Sequence, residues 1–330
     1  MKKIMFAAVM AAMAAGGSVA SESSPLWLRN SAISPDGSTI AFTYKGDIYT
    51  VGVNGGNATR ITTEGYNTAP VWSPDSRTLA FSSDRRGSDD IFIVDAAGGT
   101  PRRLTTNSGT ETPRAFLNDS TIVFDTKLMP GVEAATGSFQ NQTYTVSTRG
   151  GRPKLLMSVP TLAMSVNSRG DILYRDRKGY EDPLRKHERS SGTGDIWLVR
   201  DGKFTRLTSF NGHDVDPVWG EGEQFYYVSE EDNNTLNIYT RNIDGTGRCR
   251  LTDYERHPVR SLSADAAGKI LAYSWNGELY TLRPGEQPRK VEVNIATDLY
   301  DADNVKYFTG SGATALDVSP DGKEVAFVIR

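Results

Sequence analysis

The sequence predicts an all-β fold: a β-propeller of about six four-stranded blades, with the start of a further blade or second propeller at the C-terminus. Three observations predict it. The tetrapeptide Ser-Pro-Asp-Gly at residues 34–37 returns, with one change, at 73–76 and unchanged at 319–322, and a short apolar strand follows each copy. A basic–aliphatic–Thr ending recurs at a spacing of about 40 residues, too short a unit to bury its own apolar faces without stacking on copies of itself. No stretch between the copies shows a helical period.

The second copy of the repeat shows the unit most clearly. It begins with Ala-Pro-Val-Trp at residues 69–72 and continues through the Ser-Pro-Asp turn into the apolar residues 79–82. A polar loop then leads to residues 91–95 and to the ending Arg-Leu-Thr at 103–105. These pieces predict four short strands separated by turns. In the first turn Pro presets φ, the Asp side chain accepts a local backbone hydrogen bond, and Gly supplies a positive φ.

The third and fourth strands of the unit also recur. A polar residue followed by an aliphatic and an aromatic residue opens the third strand, a pattern typical of a strand with one face in a packed core. It occurs at residues 47–49, 90–92, 195–197, 237–239 and 278–280. The fourth strand is predicted to end on the basic–aliphatic–Thr tripeptide. That tripeptide occurs at residues 60–62, 103–105, 206–208 and 250–252.

These endings define six units between about Ser31 and Val293, and a seventh begins near Ala315. The third and fourth units depart from the pattern. Phe-Leu-Asn-Asp at residues 116–119 and Val-Asn-Ser-Arg-Gly at 166–170 stand where the Ser-Pro-Asp turn is expected.

The units also predict a domain organisation. We expect a signal peptide over residues 1–20, a six-bladed propeller over 21–294, a linker over 295–314, and the first strands of a truncated second propeller over 315–330. The last segment stops inside a predicted strand, which would leave an unpaired sheet edge. We therefore expect the chain to be a fragment of a longer protein.

The N-terminal residues differ from all that follow. Lys2 and Lys3 precede an apolar run at residues 4–15, and Ser-Val-Ala ends at Ala20. This order is typical of a bacterial signal peptide cleaved near Ala20, and the apolar run is too short to anchor the mature chain across a bilayer. The alternative is a buried N-terminal helix. We expect an exported, periplasmic protein with no membrane span in its mature form.

Composition narrows the function classes. Hydrophobic residues make up 38% of the chain and the formal net charge is −3, as in soluble all-β proteins. Nothing here is basic enough to predict a nucleic-acid surface. Cys249 is the single cysteine, so no disulfide can form within these residues.

Catalytic patterns are missing from the sequence. There are three histidines and no Gly-x-Ser-x-Gly elbow, His-Glu-x-x-His motif or Gly-rich phosphate loop. Acidic clusters such as residues 230–232 do not have the spacing of a calcium loop. We predict no catalytic residue, no metal and no cofactor within this chain.

Two insertions interrupt the repeat. The fourth unit carries residues 175–189, dense in Arg and Lys, where a turn needs only a handful of residues. Long loops of this composition contact peptide carboxylates or other domains. The contact candidates are Tyr180, Arg185, Lys186 and His187. The alternative is a charged surface excursion held by its own salt bridges. A lesser insertion at 127–140 in the third unit is a second candidate for packing or peptide contact.

The Ser-Pro-Asp-Gly turn together with the Asp-Ile-Tyr strand resembles the WD40-like repeat. That repeat is shared by the Tol-system propeller protein, propeller-bearing serine peptidases and tricorn-like proteases. The tricorn-like (S41-type) serine proteases fit best, because the insertion in the fourth unit resembles their decorated blade. Residues 305–323 resemble the passage from their first propeller into the second. The resemblance covers essentially the whole mature chain.

That resemblance implies a non-catalytic region that gates or binds peptides, in a protease whose Ser and His groups lie in a C-terminal core absent from this chain. It implies three kinds of partner: peptide substrates, downstream PDZ-like and peptidase domains, and further copies of the protein in a ring. In the archaeal enzyme a basic pair anchors the peptide C-terminus. Arg114, within Thr-Pro-Arg-Ala-Phe at residues 112–116, is the nearest match and keeps one arginine of the pair.

Two other function classes stay open. One is the propeller of a dipeptidyl-peptidase-like or prolyl-oligopeptidase-like enzyme, in which an α/β-hydrolase domain follows the propeller. The other is a Tol-type protein-binding scaffold. The Tol protein carries a mixed α/β domain before its propeller, whereas here about ten residues separate Ala20 from the first unit. The sequence following Arg330 would distinguish a tricorn-like region from the propeller of a dipeptidyl-peptidase-like or prolyl-oligopeptidase-like enzyme.

Overall fold

The computed structural model describes most of the chain, and all of its regular structure there is β-strand. The described residues are 25–126, 141–159, 161–178, 189–296 and 313–329. The chain forms two compact units, one ending at Ile295 and the other beginning at Ala296. Within the described ranges there is no helix with the length and apolar character needed to cross a membrane.

The first unit contains six four-stranded antiparallel sheets, each made of strands consecutive in sequence except that β4 lies outside them. This confirms the predicted propeller of about six four-stranded blades. Blade 1 contains β1 (Arg29–Ile33), β2 (Thr39–Tyr44), β3 (Asp47–Gly52) and β5 (Thr59–Arg60), and β4 (Gly56–Asn57) lies between the last two. Blade 2 contains β6 (Asn67–Trp72), β7 (Thr78–Ser83), β8 (Asp90–Asp95) and β9 (Arg102–Arg103). Blade 3 contains β10 (Glu111–Asn118), β11 (Thr121–Thr126), β12 (Gln142–Ser147) and β13 (Lys154–Met157).

The other three blades repeat the same order. Blade 4 contains β14 (Thr161–Val166), β15 (Ile172–Asp176), β16 (Ile196–Arg200) and β17 (Lys203–Arg206). Blade 5 contains β18 (Asp214–Trp219), β19 (Gln224–Ser229), β20 (Asn237–Asn242) and β21 (Cys249–Arg250). Blade 6 contains β22 (Arg260–Ala264), β23 (Leu271–Trp275), β24 (Glu278–Leu282) and β25 (Arg289–Lys290). The first strand of each blade packs beside the first strands of both neighbouring blades, so the six form a closed ring.

The Ser-Pro-Asp turns have the predicted chemistry. The Ser73 hydroxyl donates to Asp75 Oδ1 at 2.6 Å and accepts from the Thr78 backbone N–H at 2.9 Å. Gly37 has φ of 73°, and Ser76 takes the same left-handed conformation with φ of 61°. Each hydrogen bond closes the hairpin between the first two strands of its blade, which fixes their register.

The prediction that the third strand buries one face is wrong. Ile48 and Tyr49 are adjacent on β3 and point to opposite faces, yet both are buried, Ile48 against blade 2 and Tyr49 in the cluster shared with blade 6. Blades of a propeller are covered on both sides by neighbours, so a strand in the middle of a blade has no solvent face. Phe81 and Phe124 on the second strands are likewise fully buried.

The fourth strand ends earlier than predicted. The basic residue closes the strand, while the aliphatic residue and the Thr lie beyond it. The Thr hydroxyl there accepts the N–H of the second residue of the third strand, at 2.9–3.0 Å in four blades. The donors are Ile48, Ile91, Ile196 and Ile238, and the acceptors are Thr62, Thr105, Thr208 and Thr252. The N–H of the aliphatic residue donates at 2.8 Å to the carbonyl of the same third-strand residue, so the Thr hydroxyl supplies the second hydrogen bond of this pair.

The basic residue of the tripeptide has a partner in the polar residue that opens the third strand. Arg60 pairs with Asp47 at 2.5 Å, and Arg103 pairs with Asp90 at 2.6 Å. In blade 6, Lys290 pairs with Glu278 at 2.7 Å. Two sequence signatures about a dozen residues apart are therefore two halves of one ion pair within a blade.

The ring closes between blades 6 and 1. After blade 6, the short strand β26 (Val293–Asn294) pairs in parallel with β4, and the Gly56 N–H donates to the Glu292 carbonyl at 2.8 Å. Val293 is buried against the cluster of blade 1. Each blade keeps its own four strands, so the closure consists of this clasp and the packing of adjacent blades.

The second unit contains one antiparallel hairpin in the described residues, β27 (Ala313–Val318) and β28 (Val325–Ile329). It repeats the Ser-Pro-Asp turn: Ser319 donates to Asp321 at 2.6 Å and accepts from the Glu324 N–H at 3.0 Å. Its apolar side chains, among them Leu316 and Phe327, are exposed. That this hairpin begins a second propeller stays a prediction.

Candidate functional site

A central channel passes between the innermost strands of the six blades. It has a volume of about 1180 Å³, and residues of all six first strands line it together with the turns that follow them. Its wall consists mainly of small and apolar side chains. Examples from four blades are Ala32, Ala69, Ala115 and Ala163. The channel is thus a concave space lined by small and apolar residues together with polar groups, a combination common in ligand sites.

A β-bulge in every innermost strand shapes the channel wall. In each blade the pairing of the first and second strands shifts by one residue near the middle of the first strand. In four blades the bulge residue has a left-handed backbone, although none is glycine. These residues are Asn30, Ala69, Asp216 and Ser261, with φ between 49° and 54°. A repeated, costly conformation of this kind is built into the fold, and it turns backbone and side chains toward the channel.

Two charged residues lie on the innermost strands where they line the channel, among the residues the structure describes: Arg114 and Asp216. Asp216 Oδ2 accepts the Leu262 backbone N–H at 3.3 Å and thereby connects the bulge of blade 5 to that of blade 6. Burial raises the pKa of the Asp216 carboxyl, while the Arg175 guanidinium acts in the opposite direction. The remaining charged lining residues lie on the turns at one mouth of the channel.

Arg114, the predicted peptide-anchoring arginine, lies on β10 in the channel wall. Its guanidinium makes a bidentate pair with the buried Asp125, Nε to Oδ1 at 3.0 Å and Nη2 to Oδ2 at 2.9 Å. The Asn141 amide donates to the same carboxylate at 2.8 Å. Such a pair positions Arg114 and neutralises most of its charge. Its role in binding a peptide stays a prediction.

The other predicted contact residues, Tyr180, Arg185, Lys186 and His187, lie outside the described residues, as does the insertion at 127–140. The described residues that flank both insertions follow second strands, at the end of the strand opposite the Ser-Pro-Asp turns.

The described ends of the insertion in blade 4 are held by contacts with the blades. At one end, Lys178 pairs with the buried Asp195. At the other, Arg189 donates to the Asn211 carbonyl at 2.9 Å and lies over the Phe210 ring at 4.7 Å from its centroid. The described base of the insertion is therefore fixed on blade 4 and on the segment that leads into blade 5.

Sequence reasoning missed the channel-lining bulges. Their residues share no side-chain type, and a bulge is a property of strand pairing. One signal was available: Pro70, Pro113 and Pro217 stand in the middle of predicted first strands, and proline within a sheet is confined to bulges, edges and strand starts.

Comparison with known proteins agrees with this architecture. A family model described as the tricorn protease N-terminal β-propeller domain matches residues 25–288. Tricorn protease homolog 1 of Streptomyces coelicolor is 24% identical over 304 residues, covering 88% of this chain and 27% of that protein. The tricorn protease of Thermoplasma volcanium is 25% identical over 198 residues, covering 59% of this chain and 18% of that protein. The chain spans about a quarter or less of the length of these relatives.

Two solved structures share the fold. The crystal structure of the tricorn protease matches 92% of this chain and 29% of its own, with a TM-score of 0.68 and 22% identity. TolB from Acinetobacter baumannii matches 80% of this chain and 65% of its own, with a TM-score of 0.56 and 15% identity. The family model covers most of the described propeller, and it distinguishes between the families that the repeat resembles. The chain belongs to the tricorn protease N-terminal β-propeller domain family.

Proposed function

We propose that this chain is the non-catalytic, peptide-binding propeller region of an exported tricorn-like serine peptidase. The central channel carries the proposal. It is lined by innermost strands of all six blades and by the turns that follow them, and small and apolar residues make up most of its wall. A wall of this kind suits an extended chain without a strict sequence requirement, because few groups on it demand a particular side chain.

The charge distribution supports a channel that admits peptides of varied sequence. Asp125 neutralises Arg114 through two hydrogen bonds, while Asp216 is under the influence of the Arg175 guanidinium and accepts the Leu262 N–H of blade 6. Neither charge is therefore left to reject a peptide of its own sign by simple repulsion.

The rest of the proposed protein lies beyond these residues. We propose that a peptidase core follows this chain, because relatives that are several times longer carry the name tricorn protease. A PDZ-like module and assembly into a ring are proposed from the resemblance of the repeat to that family alone. We also propose export to the periplasm, on the basis of the N-terminal signal pattern that ends near Ala20.

The binding of fluorescent, unstructured peptides to the purified chain tests the channel. Ala163 lines it on β14, so Ala163→Trp is expected to obstruct the channel and weaken peptide binding about tenfold or more. Thr205→Trp, on the exposed outer strand of the same blade, is the matched control and should bind as the wild type does. Equal affinities for both variants and the wild type would contradict a channel site.

The insertion in blade 4 is tested in the same assay. Replacing Arg185, Lys186 and His187 together by Ala should weaken capture of peptides with a free C-terminal carboxylate more than capture of amidated ones. Equal loss for both peptides would assign the loop to packing. Unchanged binding would show that the insertion is a charged surface loop with no part in peptide capture.

A further inference from the structure

At five of the six junctions between consecutive blades, the described residues repeat one backbone hydrogen bond. The residue that opens or just precedes an innermost strand donates its N–H to the carbonyl just before the third strand of the preceding blade. The donor–acceptor pairs are Leu28–Gly277, Asn67–Gly46, Glu111–Asp89, Asp214–Gly194 and Val259–Leu236, at 2.8–3.3 Å. This bond brings the donor's side chain beside the side chain that opens the third strand.

The side chains that meet there differ from junction to junction. Between blades 1 and 2, the Asn67 amide donates to Asp47 Oδ1 at 3.3 Å. Between blades 3 and 4, the hydroxyls of Thr143 and Thr161 lie 3.1 Å apart. At two junctions a polar residue meets an apolar one. Asn237 meets Val259 between blades 5 and 6 (junction 5/6), and Glu278 meets Leu28 between blades 6 and 1 (junction 6/1). Junctions 2/3 and 4/5 each bring two acids together, Asp90 with Glu111 and Asp195 with Asp214.

At junction 2/3, three of the four carboxyl oxygens of the two acids make no hydrogen bond of normal geometry with the described residues. Two of them belong to Glu111, which is 0% exposed and near which the Thr105 hydroxyl is the one side-chain donor that acts on its pKa. Asp90, also fully buried, uses Oδ2 for Arg103 at 2.6 Å, while its Oδ1 has no partner there. Across the strand from Glu111, the Thr126 hydroxyl is buried and equally without a partner among the described residues. Buried oxygens left in this state are costly unless a donor is supplied.

Junction 4/5 repeats the arrangement. Asp214 is 1% exposed and its Oδ1 has no partner in the part of the chain that the structure describes. The facing Asp195 uses Oδ2 for Arg206, at 2.8 Å, and for Lys178. Glu231 is a further acid near Asp214. Both basic groups therefore pair with Asp195, and Asp214 forms no ion pair with either of them.

A proton on the second acid would supply the missing donor, as the Asn67 amide does at junction 1/2. We propose that Glu111 and Asp214 are protonated in the folded ring, and that blades 3 and 4, which lie between these two junctions, loosen from their neighbours as rising pH removes the protons.

The electrostatics of both sites agree with this geometry. Burial raises the pKa of Glu111 to about 7; the Asp90 carboxylate adds to the effect, whereas the Thr105 hydroxyl and Arg103 oppose it. Burial raises the pKa of Asp214 to about 6; the Ser229 and Thr208 hydroxyls oppose the effect, and the Glu231 and Asp195 carboxylates add to it. Each folded-state pKa lies above the ordinary value, so the folded ring binds the proton more tightly than the unfolded chain does. This stabilisation is complete at acidic pH and is lost as pH rises toward about 7.

Hydrogen–deuterium exchange of the whole chain tests the proposal at about pH 6 and about pH 8.5, corrected for the intrinsic pH dependence of exchange. Strands β10 to β13 should exchange about tenfold faster at the higher pH, and strands β14 to β17 about twofold faster because Asp214 has already lost half of its proton at about pH 6. Blades 1 and 6 should not change. The double variant Glu111→Gln and Asp214→Asn should abolish this difference, because amides donate at both pH values. The exposed Glu221→Gln is the control and should leave it intact.

The two single variants cover the case in which the double variant does not fold. Glu111→Gln alone should abolish the pH-dependent exchange at junction 2/3 and leave it at junction 4/5, and Asp214→Asn alone should do the reverse. Infrared spectra of the wild type should also show a protonated carboxyl band at about pH 6 that is absent at about pH 8.5. Exchange that rises evenly over all blades, or a wild type without that band, would overturn the proposal.

Discussion

At the scale of single residues, the chain repeats a few side-chain hydrogen bonds. Ser73 and Asp75 form one such set, in which the hydroxyl lowers the pKa of the carboxyl most. A lowered carboxyl pKa stabilises the fold above the ordinary value near 3.8, and this contribution is lost as pH falls. The turns therefore weaken in acid, whereas the Glu111 and Asp214 junctions weaken as pH rises.

Substitution of Ser73 tests the turn. Ser73→Ala removes the donor to Asp75 and leaves the Thr78 N–H without its acceptor, so it should destabilise the propeller by about 1–2 kcal/mol. Ser168 is exposed in the corresponding turn of blade 4, and Ser168→Ala should stay within about 0.5 kcal/mol of the wild type. Urea unfolding measures both. Equal effects would show that the turn hydrogen bonds add no stability.

The turn chemistry could be predicted from the sequence because all its partners lie within five residues of Ser73. The ion pair of Arg103 with Asp90 could not, since its halves belong to two strands and only their pairing brings them together. The acid pair of Asp90 with Glu111 is a contact between two blades, so short sequence patterns could not predict it either.

At the scale of strands and loops, the number of blades followed from the repeat, but the shape of their inner edge did not. Proline residues in the predicted first strands indicated some of the bulges. The residues that take the left-handed bulge conformation, such as Asn30 and Ser261, share no residue type and could not be predicted. The closing clasp of β26 on β4 was not predicted, because each of these strands has only two residues and no pattern is readable at that length.

A pair of glycine variants tests the clasp. Gly55 and Gly98 occupy the same turn of blades 1 and 2, with φ of 88° and 99°. A Cβ on Gly55 would lie 2.5 Å from the Glu292 carbonyl oxygen, whereas one on Gly98 would meet nothing within 4 Å. Both Ala variants carry a backbone cost of about 1–2 kcal/mol. Gly55→Ala should cost about 1–3 kcal/mol more by overpacking against the closing segment.

Thermal and urea unfolding of the two variants give the comparison. Equal losses of unfolding free energy would mean that the contact of residue 292 with blade 1 does not hold the ring closed. A larger loss for Gly98→Ala would contradict the assignment of the clasp outright.

At the scale of the whole molecule, the propeller architecture could be predicted because the repeat unit recurs, and the positions of its neighbours located each degenerate copy. The function was harder to predict from the sequence. A channel formed by six separate strands leaves no contiguous motif, and of the predicted contact residues Arg114 alone lies among the described ones, paired with Asp125. The family match places the chain among tricorn N-terminal propellers, and the channel gives the physical basis for the proposed peptide binding.

Photo-cross-linking is the most direct test of that central claim. An unstructured peptide carrying a benzophenone group is bound to the whole chain, irradiated, and its attachment sites are mapped by mass spectrometry. We predict attachment to channel residues on β10, β14 and β18, such as Ala115 and Leu162, that an excess of unlabelled peptide suppresses. Attachment confined to the outer strands β13, β17 and β21, or attachment that unlabelled peptide does not reduce, would contradict the account.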